Sequence, residues 1–245
     1  MKYSSLWKGN TEKMNTAGFL SGDGSNMRKI LEYQKENSSC PYCIKVLFSD
    51  YASSKAAIIG SDFDIPVLYR DIKSFYYCNN VARNDLSLRH LFDAETKMIL
   101  EFFHISAIAL AGYMSVLSSV LTDNFLCINV HPANLTVEEN GKRKYIGLHA
   151  VEKAIHSAET ELRSTTHIVN GTIDGGELLM VSEPLTVRND WNALQHQQRL
   201  KEIGDWKIFP LTLALIAHNK FTRNSEGKLC YNEQCIEKGI NFRDI

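Results

Sequence analysis

The stretch Thr16–Ser49, TAGFLSGDGSNMRKILEYQKENSSCPYCIKVLFS, decides the fold. It opens on a short apolar strand, Thr16 to Gly22, that ends in glycine. Asn26 to Lys35 follows, with Met27, Ile30 and Leu31 at the spacing of one helical face. It closes on Ile44 to Ser49, a continuous apolar run of the kind that a parallel sheet buries on both sides. Strand, helix, strand is the repeating unit of a parallel sheet wrapped by helices.

The alternation continues downstream. Ser53 to Ile59 suits a helix and Ile65 to Tyr69 a third strand. Arg70 to Asp85 is polar, aromatic and without period, and reads as a connecting excursion. Ser87 to Phe103 predicts a helix, with Leu91, Met98 and Phe102 on its apolar face. Ala107 to Ala111 and Phe125 to Val130 are further buried strands. Thr136 to Lys144 is a charged loop with an Asn140-Gly141 turn, and Gly147 to Glu159 is helical. Thr165 to Val169 is a strand, and Leu178 to Ser182 another, antiparallel to it after the Asp174-Gly175-Gly176 turn. Asn192 to His218 is a long helical stretch with a bend expected at Pro210, because proline removes a helix hydrogen bond. The expected fold is α/β: a mostly parallel twisted sheet flanked by helices, with an antiparallel addition near the C-terminal part. One domain is expected over 1–245, with a core of about 16–220 and a polar tail or hairpin over 221–245.

Composition narrows the function. The 245 residues are 44% apolar and 22% charged, with 14 glycines and 5 prolines, so the chain is neither disordered nor fibrous. The net charge of −1 gives no global pull toward phosphate backbones, and a nucleic-acid partner is not expected. Phe102 to Leu121 lacks Asp, Glu, Lys and Arg, close to the roughly 18–20 residues that span a bilayer. Its serines and central Gly112-Tyr113 suit a strand, a turn and a short helix instead, so no membrane partner is expected. The first twenty residues carry Lys2, Lys8, Glu12 and Lys13 without a sustained apolar run, and the expected compartment is cytoplasmic. Six cysteines are too few for a disulfide scaffold. Cys40-Pro41-Tyr42-Cys43 copies a dithiol motif but follows a helix and precedes a strand, the wrong order for a thiolate held at a helix N-terminus. Cys230 and Cys235 lack a partner pair at zinc spacing, and no metal is expected.

Two constellations carry chemistry. Ser21 to Asn26 lies between the first strand and helix, where backbone N–H groups and the helix N-terminus converge with partial positive charge. Gly24, Ser25 and Asn26 either cradle a phosphate monoester or form a tight turn with an ordinary N-cap. Asn129-Val130-His131-Pro132 closes a buried strand, where period two sends Asn129 and His131 to one face. Ligands of open parallel sheets lie beyond such strand ends. Asp174 follows 43 residues after His131 on the Gly-Gly turn. The three supply an oxyanion donor, a proton carrier and a carboxylate to set its charge, or else a capping Asn, a structural His and a turn Asp.

SGDGSN, VLFSD, LRHLFD, LAGYMSVLS, INVHP, GLH and THIVNGTIDGG occur in this order between Gly18 and Met180. In that order and spacing they resemble the folate-dependent formyltransferases, most of all the phosphoribosylglycinamide formyltransferase branch. The resemblance implies formyl transfer from 10-formyltetrahydrofolate, as co-substrate, to a small amine. It implies that Gly24, Ser25 and Asn26 hold a substrate phosphate and that Asn129, His131 and Asp174 are the catalytic trio. It places folate against Arg89, against Met114, Ser115, Val116 and Leu117, and against Asn170, Gly171, Thr172 and Ile173. His167 matches a family position behind the trio, or is a core histidine. Asp205 aligns with the Glu that holds the substrate ribose, with a shorter reach.

Departures from the family's pattern are local. Asn134-Leu135-Thr136 replaces Leu-Leu-Pro, the loop before Gly147 is longer and more charged, and Ser115 replaces an arginine. Glu202 stands where a basic residue is usual. The resemblance thus bears on formyl transfer more than on glycinamide ribonucleotide as acceptor. A sugar-nucleotide amine formyltransferase and a 10-formyltetrahydrofolate hydrolase releasing formate are the alternatives. The hydrolase normally has His where Pro132 stands. A monomer or a homodimer is expected.

Overall fold

A computed structural model describes residues 2–9 and 11–245. They cluster into two compact units, Trp7–Ile128 and a second made of the N-terminal residues to Leu6 with Asn129–Ile245. The N-terminal strand β1, Tyr3–Ser5, belongs to the second.

The unit Trp7–Ile128 is built on β2 (Met14–Phe19), α1 (Ser25–Glu36), β3 (Tyr42–Ser49), α2 (Ala56–Phe63) and β4 (Val67–Tyr69). It continues through α3 (Ile72–Cys78), α4 (Arg89–Phe102), β5 (Ala107–Leu110), α5 (Ser119–Thr122) and the start of β6 (Leu126–His131). β3 pairs in parallel with β4 and with β2, and β2 in parallel with β5. All six residues of β2 are buried, as expected of a central parallel strand. Phe19 and Phe48, with ring centroids 4.6 Å apart, anchor the core together with Phe92 and Tyr113.

Two readings of this unit need correction. Arg70–Asp85 is not only an excursion: Ile72–Cys78 is helical, started by the Asp71 side chain accepting from the Ser74 N–H. The short helix buries only Ile72 and Tyr76, too few to show as a period. The face of α4 is also different. Leu91, Met98 and Phe102 are 46%, 70% and 78% exposed, while Arg89, Phe92, Asp93, Thr96 and Leu100 are buried. The buried stripe contains an ion pair, Arg89 Nε to Asp93 Oδ1 at 3.1 Å, which hydrophobicity alone cannot identify as the inner face.

The second unit takes β6 onward. β7 (Glu138–Glu139) and β8 (Lys142–Arg143) form a tiny hairpin over Asn140-Gly141, both at positive φ (53° and 72°). That is the backbone a two-residue hairpin turn requires. Then come α6 (Ala150–His156), β9 (Glu161–Leu162), β10 (Thr165–Ile168), β11 (Leu178–Val181) and β12 (Leu185–Thr186). β10 lies next to β6, β11 is antiparallel to β10, and β9 pairs with β12. The mostly parallel sheet with a later antiparallel addition is therefore present.

α7 (Ala193–Leu200) opens with an Asn192/Gln195 capping box, passes through a π-helical turn, Lys201–Asp205, and continues as α8 (Trp206–Ala217). The irregularity thus precedes Pro210, which sits inside α8. The last residues form β13 (Phe221–Asn224), β14 (Leu229–Tyr231), β15 (Gln234–Cys235) and β16 (Lys238–Asn241). β13 and β14 make a hairpin, β1 joins β13, and β16 adds in parallel to β11. Among the described residues no helix is long and apolar enough to cross a membrane.

Candidate active site

In the first unit the turn before α1 is shaped by Gly24. Its φ is +67°, and a Cβ there would lie 2.4 Å from Ile59 and 2.6 Å from Leu20. Only glycine fits both the conformation and the space. The Ser25 N–H, first of the helix, points to Asp23 Oδ1 at 3.3 Å, so an acidic side chain already lies at this helix end. Asn26 is buried.

Beside this turn, in the same unit, Asp50 is fully buried. Its Oδ1 accepts from Ser21 Oγ at 2.6 Å and its Oδ2 from Ser115 Oγ at 2.5 Å. Ser21 Oγ in turn accepts from the Met114 N–H at 3.0 Å. Asp50 therefore ties the Ser21 turn to the Met114–Leu117 loop. Met114 and Val116 are 58% and 41% exposed and Leu117 is buried. Arg89 is buried and engaged, giving Nε to Asp93 and Nη2 to the Tyr113 hydroxyl at 2.9 Å. Asp50 ends the VLFSD motif, but no role could be read for it, because a buried carboxylate held by two serine hydroxyls has no pattern of its own.

In the second unit Asn129, His131, His167 and Asp174 converge. His131 Nδ1 lies 3.4 Å from Asp174 Oδ2, and His167 Nε2 lies 3.3 Å from Asp174 Oδ1. The Asn129 amide nitrogen is 3.2 Å from His167 Nε2. A register shift between Thr166 and His167 in the β10–β11 pairing sits at this histidine. Such bulges re-aim side chains. Asp174 adopts φ +49°, the left-handed region, on the tip of the turn into β11. Thr172 accepts from the Gly175 N–H at 3.1 Å, and Asn170 Oδ1 accepts from the Thr172 N–H at 2.9 Å. Residues 170–173 are exposed, Ile173 at 57%.

Hydrogen-bond logic constrains the protons. His167 Nδ1 faces the Ile168 carbonyl at 3.0 Å and must donate to it. Its Nε2 then either accepts from Asn129 or, protonated, donates to Asp174. His131 faces acceptors at both nitrogens, the Tyr145 carbonyl at 2.8 Å from Nε2 and Asp174 at Nδ1. Only the imidazolium donates to both. Burial lowers the His131 pKa below the usual histidine range, with Asp174 and the Tyr145 carbonyl pulling against it. Burial pushes Asp174 up, but the His167 hydrogen bond, the His131 charge and the Gly147 N–H together hold it at about 2. The pair is an ionised carboxylate beside a histidine whose charged form burial disfavours and the carboxylate favours.

The backbone groups of this site came unannounced. The Gly147 N–H donates to Asp174 Oδ2 at 2.7 Å, and Arg143 donates to the Asp174 carbonyl. Arg143 lies in the segment read as a charged loop, and Gly147 opens the GLH motif and the stretch read as helical, with no role assigned to either residue. Asp205 is buried in the π turn, its Oδ1 accepting from Ser164 Oγ at 2.5 Å. The Cys40 thiol is buried and burial raises its pKa, the opposite of a reactive thiolate. Among the described residues there is no group of three or more His, Cys, Asp or Glu side chains that could hold a metal ion.

A histidine, an amide and a carboxylate gathered at a strand end of an α/β fold are groups able to move a proton and to donate hydrogen bonds to a developing oxyanion. The chain belongs to the formyl transferase family, whose model matches residues 14–213. It is 29% identical over 227 residues to the human trifunctional purine biosynthetic protein adenosine-3, covering 90% of this chain and 20% of that protein. It is 26% identical over 200 residues to phosphoribosylglycinamide formyltransferase of Haemophilus influenzae, covering 80% of this chain and 84% of that one. The chain thus spans only about a fifth of the trifunctional relative. In structure it is similar to phosphoribosylglycinamide formyltransferase of Coxiella burnetii, with a TM-score of 0.77 at 20% identity, covering 94% of this chain and all of that one. At that identity the likeness speaks for the fold alone.

Proposed function

We propose that this chain transfers a formyl group from 10-formyltetrahydrofolate to a small phosphorylated amine such as glycinamide ribonucleotide. The observation that carries the reading is the cluster in which Asp174 meets both His131 and His167 while Asn129 meets His167. The acceptor nitrogen attacks the formyl carbon, and the carbonyl electron pair moves onto oxygen. Asn129 has a second amide N–H for that oxyanion, and protonated His131 adds a donor once it releases the Tyr145 carbonyl. One such donor is worth roughly 2.7–4 kcal/mol. The intermediate collapses by breaking the bond to the folate nitrogen. That nitrogen gains a proton as the attacking nitrogen loses one, with Asp174 and His131 relaying it. The reaction written this way needs no metal.

Gly24, Ser25 and Asn26 are assigned the substrate phosphate, for which Asp23 must turn off the helix end. Arg89, Met114 to Leu117 and Asn170 to Ile173 are assigned the folate. The proposed setting is the cytoplasm. The test is loss of the formyl-folate absorbance in the presence of an amine panel. Turnover that needs an amine supports the reading; amine-independent formate release overturns it.

A further inference from the structure

We infer that Arg143 is a positioning residue for Asp174, acting on the carboxylate turn from the β7–β8 hairpin. The inference rests on the role proposed above for Asp174. Asp174 is a non-glycine residue at φ +49°, a conformation L side chains adopt at a cost. It is held from two sides by one segment. The Arg143 guanidinium donates to its backbone carbonyl, and the Gly147 N–H donates to its carboxylate at 2.7 Å. The first contact fixes the peptide plane after Asp174; the second fixes the carboxylate that faces His131.

The hairpin is built to deliver that guanidinium. Asn140-Gly141 turns the chain, Arg143 pairs across with Glu138, and the Lys144 N–H closes onto the Val137 carbonyl at 3.0 Å. Two residues on, Tyr145 is buried with Ala133, Ala150, Val151 and Leu162, and its hydroxyl donates to Glu159 at 2.5 Å. The same Tyr145 offers its carbonyl to His131. Residues 143–147 therefore contact both members of the proposed acid–base pair, and Arg143 is the one side chain of that segment seen to reach the Asp174 backbone. Arginine suits the task because its planar fork is always charged and geometrically fixed.

The test uses the full chain with Arg143→Met and Arg143→Lys. Two readings are taken: the steady-state constants for formyl transfer, and the His131 titration midpoint by NMR of the ligand-free protein. Misplacement of the carboxylate by about an ångström is expected to lower kcat roughly 10- to 100-fold in Arg143→Met, with KM little changed. Lys, which keeps a donor, restores most of the rate. The sign of the NMR shift separates mechanisms. His131 is faced by Asp174, His167, Lys153 and the Tyr145 carbonyl. A withdrawn carboxylate moves its midpoint down, whereas loss of a nearby cation alone moves it up. A downward shift supports positioning; an unmoved or upward midpoint overturns it, as does a kcat within twofold of wild type. If Arg143→Met does not fold, Arg143→Gln is read the same way. If the unaltered protein transfers no formyl group, the functional reading fails, and the His131 midpoint still decides the positioning role.

Discussion

Gly176→Ala is the sharpest structural test of the turn that carries Asp174. The backbone of Gly176 is not at positive φ, so alanine is conformationally allowed there. The difficulty is space. A Cβ would sit 1.7 Å from the Ile168 carbonyl oxygen and 2.8 Å from its carbon, both rigid backbone atoms. The separation must open to at least 3.0 Å, which pushes the turn away from the end of β10. The adjacent bond from the Ile168 N–H to the Glu177 carbonyl, 2.9 Å long, lies in the path of that movement. Overpacking of this kind costs roughly 1–3 kcal/mol and the lost hydrogen bond about 1 kcal/mol, giving about 2–4 kcal/mol. Urea unfolding measures it directly. Gly171→Ala is the control, because nothing lies within 4 Å of its added methyl. It should change stability by less than about 0.5 kcal/mol. Equal effects at the two glycines would refute the packing on which the geometry of Asp174 depends.

Further outcomes follow from the same structure. Asp174→Asn tolerates the left-handed backbone, so its effects report charge. The folded carboxylate at about 2 lies below its ordinary value of 3.8, so its stabilisation is complete above about pH 4 and lost as pH falls toward 2. The unfolding free energy of the variant should trail wild type by about 2 kcal/mol at pH 5 and converge with it near pH 2; a gap independent of pH would contradict the ion pair. Ser115→Ala strips one donor from the buried Asp50 and should destabilise by roughly 1–3 kcal/mol in denaturant melts, whereas an unchanged midpoint would mean Asp50 is satisfied otherwise. On α4, Phe92→Ala should cost about 3–5 kcal/mol and Met98→Ala less than about 0.5 kcal/mol, and the reverse order would restore the apolar stripe as the inner face.

The parts of the molecule that were legible in sequence are those governed by local pattern. Ile44–Ser49 shows as a buried strand because both faces are covered, so no polar residue but Lys45 interrupts it. Asn129 and His131 could be paired because strand period alone puts them on one face. Asp174 was visible through its Gly-Gly turn. What escaped depends on contacts distant in sequence. The inner face of α4 is polar because Arg89 and Asp93 neutralise each other and Tyr113, 24 residues away, completes the guanidinium. Gly147 acts on Asp174 across 27 residues through a backbone N–H that every residue but proline possesses, and Arg143 acts across 31 residues through a side chain that reaches a backbone carbonyl. No residue type or spacing marks such partners in advance. The tail after Lys220 reads as a polar tail or a hairpin; β13 and β14 form a hairpin, while β16 finds a sheet neighbour in β11, sixty residues earlier, that no local pattern marks.

Under the proposed function the chain moves a formyl group between two nitrogens. The direct measurement is the fate of a ¹³C-labelled formyl carbon on 10-formyltetrahydrofolate incubated with the protein and glycinamide ribonucleotide, followed by NMR. The expected result is label in a new amide on the ribonucleotide, formed in step with released tetrahydrofolate and reduced at least about 100-fold by His131→Ala. Label recovered as free formate, or left on the folate, would contradict it.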